Sequence, residues 1–279
     1  MNYRKVFFIW LLLIGCSNLV ISQYCNDTIC VVDDSYIPNV TKHLWLIKKR
    51  TEKHFSEDSS LKTLVVFNQD FRLKRDYKFL NSLKCLNCIM ASKKIYKLDS
   101  NYFKLPNLKQ VNLNIDGSEY FPLFILTAND IKSISLSLKN EQELHYLKKY
   151  SLDYLSVYFE DYQTKSLPPF IYSQSELISL NFIINNKIIH LSDSIQNLIK
   201  LENLALPIEL NETNIEILSK LNLKYLKVNS IKLNTLTDIQ KKLPQLSVLD
   251  INKPMTIEDR KALKEANPKL KITTHILKN

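Results

Sequence analysis

The chain has 279 residues, of which 45% are hydrophobic, and it carries a formal charge of +10 at pH 7. Only two residues are glycine, Gly15 and Gly117, which excludes the glycine-rich loops that bind phosphates or dinucleotides and the glycine-flanked serine of hydrolases. Lysines and arginines are spread among acidic residues without a dense basic run, so the charge does not predict a nucleic-acid partner.

The first fifteen residues have the composition of an export signal. Arg4 and Lys5 precede VFFIWLLLI, an apolar run that is too short for a stable membrane span and typical of a signal-peptide core. We therefore predict a signal peptide at residues 1–15. Its removal lowers the formal charge from +10 to +8, because Arg4 and Lys5 leave with it.

The apolar run ends in Leu13-Ile14-Gly15-Cys16, which resembles the lipobox of bacterial lipoproteins. In that class the chain is cleaved before the cysteine, which carries acyl chains that anchor the protein to a membrane. The resemblance implies lipid attachment at Cys16, and Ser17 after it favours the outer membrane of the cell envelope. The alternative is ordinary signal cleavage after Ser22, which would discard Cys16 and release a secreted, soluble protein.

A frame of the form L-x-x-L-x-L, with Ile, Val or Phe allowed at the apolar positions, recurs along the chain after residue 60. Nine copies begin at Leu61, Leu83, Leu108, Ile131, Leu152, Leu177, Leu201, Leu223 and Leu246, and a worn tenth begins at Leu270. Consecutive copies start 21 to 25 residues apart, a period typical of leucine-rich repeats. The pattern resembles that family, and we number the positions of each frame from its first apolar residue.

This resemblance implies an α/β fold, a leucine-rich repeat solenoid of about ten repeats of roughly 23 residues. Each repeat would add one strand to a parallel concave sheet and bury positions 1, 4 and 6, with short helices or irregular segments on the convex side. Apolar spacing predicts convex helices at residues 212–221, 236–243 and 256–266, the last with Thr256 and Asp259 as a capping pair. The asparagine ladder of the family is matched only at Asn185, so we expect irregular turns.

The frames also divide the chain. We assign residues 16–60 to the lipid attachment site, a tether and an N-terminal cap, and residues 61–279 to the leucine-rich repeat domain with its C-terminal cap. Repeats bury their apolar faces only against neighbours, so the ends of the array need caps. We expect Trp45, Leu46 and Ile47 to cover the first turn.

Four cysteines remain besides Cys16, an even number suited to an oxidising compartment. Cys25 and Cys30 lie just ahead of the first repeat, where the family resemblance implies a disulfide that staples the cap. Cys85 and Cys88 cannot pair with each other, because residues three apart on a strand are about 10 Å apart and a disulfide needs Cα atoms within about 7 Å. We expect Cys88 to be a buried thiol.

Catalytic and metal-binding signatures are absent from the sequence. Its histidines fall in separate segments without paired metal spacing. We therefore predict no catalytic residue, no metal site and no cofactor. A remote alternative is a Cys-dependent enzyme built on Cys85.

Frame positions 2, 3, 5 and 7 are predicted to face the concave surface. Lysine occupies position 2 in six of the ten copies: Lys62, Lys84, Lys109, Lys132, Lys224 and Lys271. Tyrosine supplies contact area with a polar tip, and lysine attracts anions. We predict six ligand-binding residues: Lys84, Lys109, Lys132, Tyr154, Tyr158 and Tyr225. The alternative is that these positions form only a solvated surface.

Together these features predict a non-catalytic, membrane-anchored leucine-rich repeat binding protein. Its ligand would be a protein or a glycan, which can be anionic, recognised through the concave face. The alternative is a secreted, soluble leucine-rich repeat factor that interacts with a host.

Overall fold

The computed structural model describes residues 31–32, 43–46, 63–66, 78–89, 100, 102, 104–114, 121–139, 141, 144–184, 187–232 and 239–276. The predicted signal peptide, Cys16, and the Cys25 and Cys30 pair lie outside these residues. The chain divides into two compact units, residues 1–136 and 137–279. Within the described ranges, no helix has both the length and the apolar composition needed to cross a membrane.

The first unit contains short parallel strands paired in chain order. They are β1 (Val31–Val32), β2 (His43–Leu46), β3 (Thr63–Val66), β4 (Cys85–Ile89), β5 (Gln110–Asn114) and β6 (Ser133–Leu138). Two 3-10 helices lie between strands, at Lys78–Asn81 and Leu123–Thr127.

The second unit repeats this plan. Its main sheet contains β7 (Tyr154–Phe159), β8 (Ser179–Ile184), β9 (Asn203–Ala205), β11 (Tyr225–Val228), β13 (Val248–Met255) and β14 (Lys271–Ile276), all parallel. A second, two-stranded parallel sheet joins β10 (Glu209–Leu210) to β12 (Ser230–Ile231). The returns contain 3-10 helices at Leu144–Lys149, Pro169–Ser173 and Asp193–Asn197.

Three α-helices, Glu212–Leu218, Ile239–Lys242 and Ile257–Ala266, follow in the returns of the second unit. Each falls within a segment predicted to be helical from its apolar spacing. The third begins after Thr256, whose side-chain oxygen accepts the Asp259 N–H at 3.1 Å and so caps the helix.

Strand register confirms the predicted frames. Residues at position 4 are direct partners within each unit: Leu64, Leu86, Val111 and Ile134 in the first, and Leu155, Leu180, Leu204, Leu226 and Leu249 in the second. Sequential parallel strands that align the same frame position in every repeat define a leucine-rich repeat fold.

The core follows the apolar positions of the frame. Leu180, Leu204 and Leu226 are 1%, 0% and 0% exposed, as predicted for position 4. Position 8 is buried in β6, β7 and β8, and in β7 it holds Phe159. Its ring lies 5.3 Å from the Phe182 ring and 5.1 Å from the Tyr162 ring, so an aromatic cluster joins two neighbouring repeats.

Two strands, β1 and β2, precede the first predicted frame. β2 pairs in register with β3, placing Leu44 opposite Leu64, so Trp45 and Leu46 belong to a sheet strand within the segment assigned to the cap. The L-x-x-L-x-L frame does not match β2, because Thr41 stands three residues before Leu44, where the frame requires an aliphatic residue.

The tenth frame is wrong by one residue. Ile272 pairs with Leu249, and Lys271 pairs with Val248 at position 3 rather than occupying position 2. The cause is local, because only one residue separates the buried Leu270 from the buried Ile272, whereas two residues separate positions 1 and 4 of the frame. Lys271 is therefore not part of the position-2 series.

Polar side chains in the returns bind backbone groups of the preceding repeat. Gln174, 4% exposed, accepts the Leu152 N–H at 3.1 Å through Oε1. Fully buried Asn267 accepts the Gln240 N–H at 3.0 Å through Oδ1. These contacts satisfy buried backbone donors, a task that the family gives to its asparagine ladder. The single ladder match, Asn185, lies outside the described residues.

Candidate functional site

Position 2 lies where the chain enters each strand, and its carbonyl binds the next repeat. The Lys84 carbonyl accepts the Lys109 N–H at 2.8 Å and the Gln110 N–H at 3.0 Å. The Lys109 carbonyl accepts the Lys132 N–H at 2.9 Å and the Ser133 N–H at 3.1 Å. These bonds place Lys84, Lys109 and Lys132 on consecutive strands about 4.8 Å apart. We call these three residues the lysine row.

The same bonding continues in the second unit. The carbonyls of Asp153, Ile178, Glu202 and Lys224 each accept two N–H groups from the following repeat. These backbone bonds hold the position-2 residues at a fixed spacing, and at Ser247 the side chain adds a bond from Oγ to the Lys224 carbonyl at 2.9 Å.

One carboxylate bridges two members of the lysine row. Asp130 Oδ2 lies 2.8 Å from Lys109 Nζ, and Asp130 Oδ1 lies 3.2 Å from Lys132 Nζ. The hydrogen bond from Lys109, followed by that from Lys132, lowers the pKa of the Asp130 carboxyl against the opposing effect of desolvation. Lys84 is exposed, and none of the described carboxylates lies within ion-pair distance of it. Lys132, at one end of the row, therefore has a carboxylate partner, and Lys84, at the other end, has none among the described residues.

In β4, β5 and β6, position 3 is covered. Cys85, Gln110 and Ser133 are 0%, 1% and 2% exposed, although this position was expected to face the ligand. In the described part of this unit, accessible charge on the sheet comes from position 2.

Cys85 is disulfide-bonded as well as buried. A disulfide sulfur cannot act as a thiolate nucleophile, so Cys85 in this form lacks the free thiol that a Cys-dependent enzyme built on it requires. Cys88 is three residues further along β4, too far for a disulfide to Cys85 by the spacing of strand residues. The predicted burial of the Cys88 side chain lies outside the described residues.

The predicted tyrosines belong to the second unit. Tyr154 and Tyr158 lie four residues apart on β7, share one face of the strand and are half-buried. Tyr225 lies on β11, three strands along the sheet and about 14 Å away. Its hydroxyl donates to Asp250 Oδ2 at 3.2 Å. The structure thus brings two of the tyrosines together and places the third further along the same sheet.

Polar groups and one apolar side chain fill the space between these tyrosines. Asn181 on β8 donates from Nδ2 to Ser156 Oγ at 3.0 Å. Ile183, opposite Tyr158, is 38% exposed. Ile183 is not among the predicted ligand-binding residues, although its position 7 alternates to the exposed side. The result is a mixed surface of hydroxyl, amide and apolar groups.

Two lysines on the exposed side of the second unit, Lys224 and Lys227, have carboxylate partners. Lys224 Nζ lies 2.7 Å from Glu202 Oε1, and Lys227 Nζ lies 3.4 Å from Asp250 Oδ2. The exposed sheet positions of this unit are therefore close to charge balance, whereas among the described residues of the first unit one carboxylate, Asp130, pairs with two of the three ammonium groups of the lysine row.

The described residues contain side chains of metal-ligating types and tyrosines whose pKa values are shifted. No group of three or more His, Cys, Asp or Glu side chains among them could hold a metal ion. Burial raises the pKa of Tyr162 to about 12 and also raises the pKa of Tyr172. Tyr162 lies in the core, so its perturbed pKa reflects packing rather than a reactive surface group.

Comparisons with known proteins give only distant likenesses. No protein family model matches the chain, and no curated protein matches it. Among solved structures, an internalin from Listeria monocytogenes has a TM-score of 0.46 and 18% identity over 79% of this chain. The chain spans 64% of the length of that internalin. A leucine-rich repeat protein from Leptospira interrogans has a TM-score of 0.34 and 16% identity, covering 88% of this chain and 95% of its own.

Proposed function

We propose that this protein is a non-catalytic binding protein that recognises another macromolecule through the exposed side of its repeat strands. The observation that carries this proposal is the register, which fixes exposed side chains on successive strands in rows about 4.8 Å apart. Such a surface can make many modest contacts at once, with little ordering cost, because the backbone already holds every side chain in place.

Two sets of side chains support the proposal in different ways. The lysine row carries excess positive charge and would attract an anionic protein or glycan over a distance of about 10 Å at moderate salt. The half-buried Tyr154, Tyr158 and Tyr225 offer area and hydroxyl groups for short-range contact. Charged rows mainly raise the rate of association, and aromatic contacts mainly lower the rate of dissociation.

The test begins with affinity capture from an envelope extract, using the chain from residue 17 onward. Surface kinetics on the captured partner then compare two variants, one with Lys84, Lys109 and Lys132 changed to Ala and one with the three tyrosines changed to Ala. We expect slower association and weaker salt dependence for the first, and faster dissociation for the second.

A matched control removes three lysines from the return segments, Lys200, Lys220 and Lys261, which are all exposed. Its net charge equals that of the triple-lysine variant, so it separates a local effect from a change in total charge. If all three variants bind as the parent does at low and at moderate salt, the exposed strand side is only a solvated surface.

We further propose that Cys16 carries a lipid anchor, because Leu13-Ile14-Gly15-Cys16 resembles a lipobox at the end of the apolar run. Cys16→Ala should then accumulate as an unprocessed precursor. Metabolic labelling with a fatty acid is the direct measurement. Absence of label from the wild-type protein, with recovery in the soluble fraction, would favour the secreted alternative.

A further inference from the structure

The lysine row contains the same arrangement twice, with a carboxylate in only one copy. Asp130 immediately precedes frame position 1 of its repeat and bridges Lys132 of that repeat and Lys109 of the preceding one. The equivalent residue one repeat earlier is Asn107, which stands in the same relation to Lys109 and Lys84. Asn107 carries no charge, and its Nδ2 donates to the Asn81 carbonyl at 2.5 Å.

The spacing of the two lysine pairs is fixed by the backbone. Lys109 N–H bonds to the Lys84 carbonyl at 2.8 Å, and Lys132 N–H bonds to the Lys109 carbonyl at 2.9 Å. Both pairs therefore present their ammonium groups on adjacent strands about 4.8 Å apart. The pair that includes Lys132 shows that one carboxylate, using both oxygens, fits between two such ammonium groups.

We propose that Lys84 and Lys109 bind a side-chain carboxylate from an acidic segment of a protein partner, in the place that Asp130 fills one repeat later. Lys84 supplies an exposed ammonium group, and Lys109 is shared between Asp130 and the incoming carboxylate. The bond is a charge-assisted hydrogen bond at a solvated surface, so its contribution is modest and depends on salt.

The charge pattern favours an acidic protein segment over a dense polyanion. Asp130 stands inside the row and repels the closely spaced sulfates of a glycan or the headgroups of an anionic membrane. A single Asp or Glu side chain contacts one lysine pair and does not need the rest of the row. This inference rests on the proposed use of the exposed strand side and names the group that is recognised there.

The test uses substitutions with opposite expected signs. Asn107→Asp should place an internal carboxylate between Lys84 and Lys109 and weaken binding of a hexaglutamate peptide by about two- to fivefold, the range of an exposed ion pair. Asn107→Ser is the matched control, because it also removes the hydrogen bond to Asn81 without adding charge. Asp130→Asn should strengthen binding by a similar factor, because Lys109 is released. Thermal unfolding of each variant verifies that the fold is retained.

Affinities for the peptide are measured by calorimetry at low and at moderate salt, beside a heparin fragment and vesicles that contain phosphatidylserine. The inference is overturned if Asn107→Asp and Asn107→Ser bind the peptide equally, or if Asp130→Asn gives no gain. It is also overturned if heparin or the vesicles bind and the peptide does not. If a captured partner is insensitive to Asn107→Asp while the peptide responds as expected, the partner does not use the pair formed by Lys84 and Lys109. This inference then fails, whereas the proposed function stands.

Discussion

The two sides of the strands in the second unit follow different rules. On the buried side, position 4 holds leucine in every main strand from β7 to β13, and the partners are aligned from repeat to repeat. On the exposed side, the same strands present tyrosine, serine, asparagine, isoleucine, lysine and aspartate, and no exposed frame position holds one residue type throughout. The fold is thus specified from one side, which leaves the composition of the other side free for recognition.

The largest expected effect lies on the buried side. Leu204→Ala should lower the free energy of unfolding by about 2 to 5 kcal/mol, because it opens a cavity in a fully buried position between two neighbouring repeats. Urea unfolding of the variant and the parent measures the loss. A loss below 0.5 kcal/mol, the usual scale of a surface change, would break the distinction between the two sides.

A smaller loss is expected where a buried polar group replaces the asparagine ladder. Asn267→Ala should cost about 1 to 3 kcal/mol, because the Gln240 N–H loses its acceptor inside the fold. Asn252→Ala is the control, since Asn252 is exposed on β13. Equal losses for the two variants in chemical denaturation would show that the contact between returns is not stabilising.

Tyr162 gives the buried side a pH dependence. Burial raises its pKa from 10.0 to about 12, so above pH 10 the unfolded chain loses this proton while the folded chain keeps it. Stability therefore falls as pH rises from about 10 to 12. Tyr162→Phe should cost about 1 kcal/mol near neutral pH through the lost hydroxyl bond to the Ser166 carbonyl.

The variant cannot ionise at this position, so the cost of Tyr162→Phe should shrink as the pH approaches 12. Unfolding free energies of the parent and the variant at pH 8, 10, 11 and 12 test this difference. A cost that stays constant across these pH values would contradict the account of burial.

The smallest effect is expected on the exposed side. Lys224→Ala should change the free energy of unfolding by less than about 0.5 kcal/mol, although Lys224 Nζ lies 2.7 Å from Glu202 Oε1, because both groups are solvated. A double-mutant cycle with Glu202→Gln isolates the ion pair. A coupling energy above 1 kcal/mol would mean that exposed charges help to specify the fold.

The buried side could be predicted from the sequence because its signal is periodic. Frame position 4 was placed correctly in the nine full copies, and the helix after Thr256 was found from its spacing and cap. The strand at His43–Leu46 and the register of Lys271 were missed where a repeat departs from the pattern. A frame that requires an aliphatic residue at position 1 cannot detect such repeats.

The candidate site was only partly predictable. Rows such as Lys84, Lys109 and Lys132 follow directly from the register, since equivalent positions lie on neighbouring strands. The bridging role of Asp130 was missed, because it depends on a contact between one repeat and position 2 of the preceding repeat. The burial of Gln110 at position 3 was missed as well. The alternation of a strand predicts which side a residue faces and not whether neighbouring groups cover it.

The backbone bonds of position 2 have a consequence for how such an array can change its length. Glu202 N–H bonds to the Ile178 carbonyl, and Ile178 N–H bonds to the Asp153 carbonyl. Loss of residues 178–201 in one event would offer the Glu202 N–H to the Asp153 carbonyl, an equivalent acceptor. Duplication of the same segment would create a matching donor and acceptor at each new junction. Genetic gain or loss of whole repeats can therefore alter the reach of the exposed surface while every remaining strand keeps a partner of the same kind.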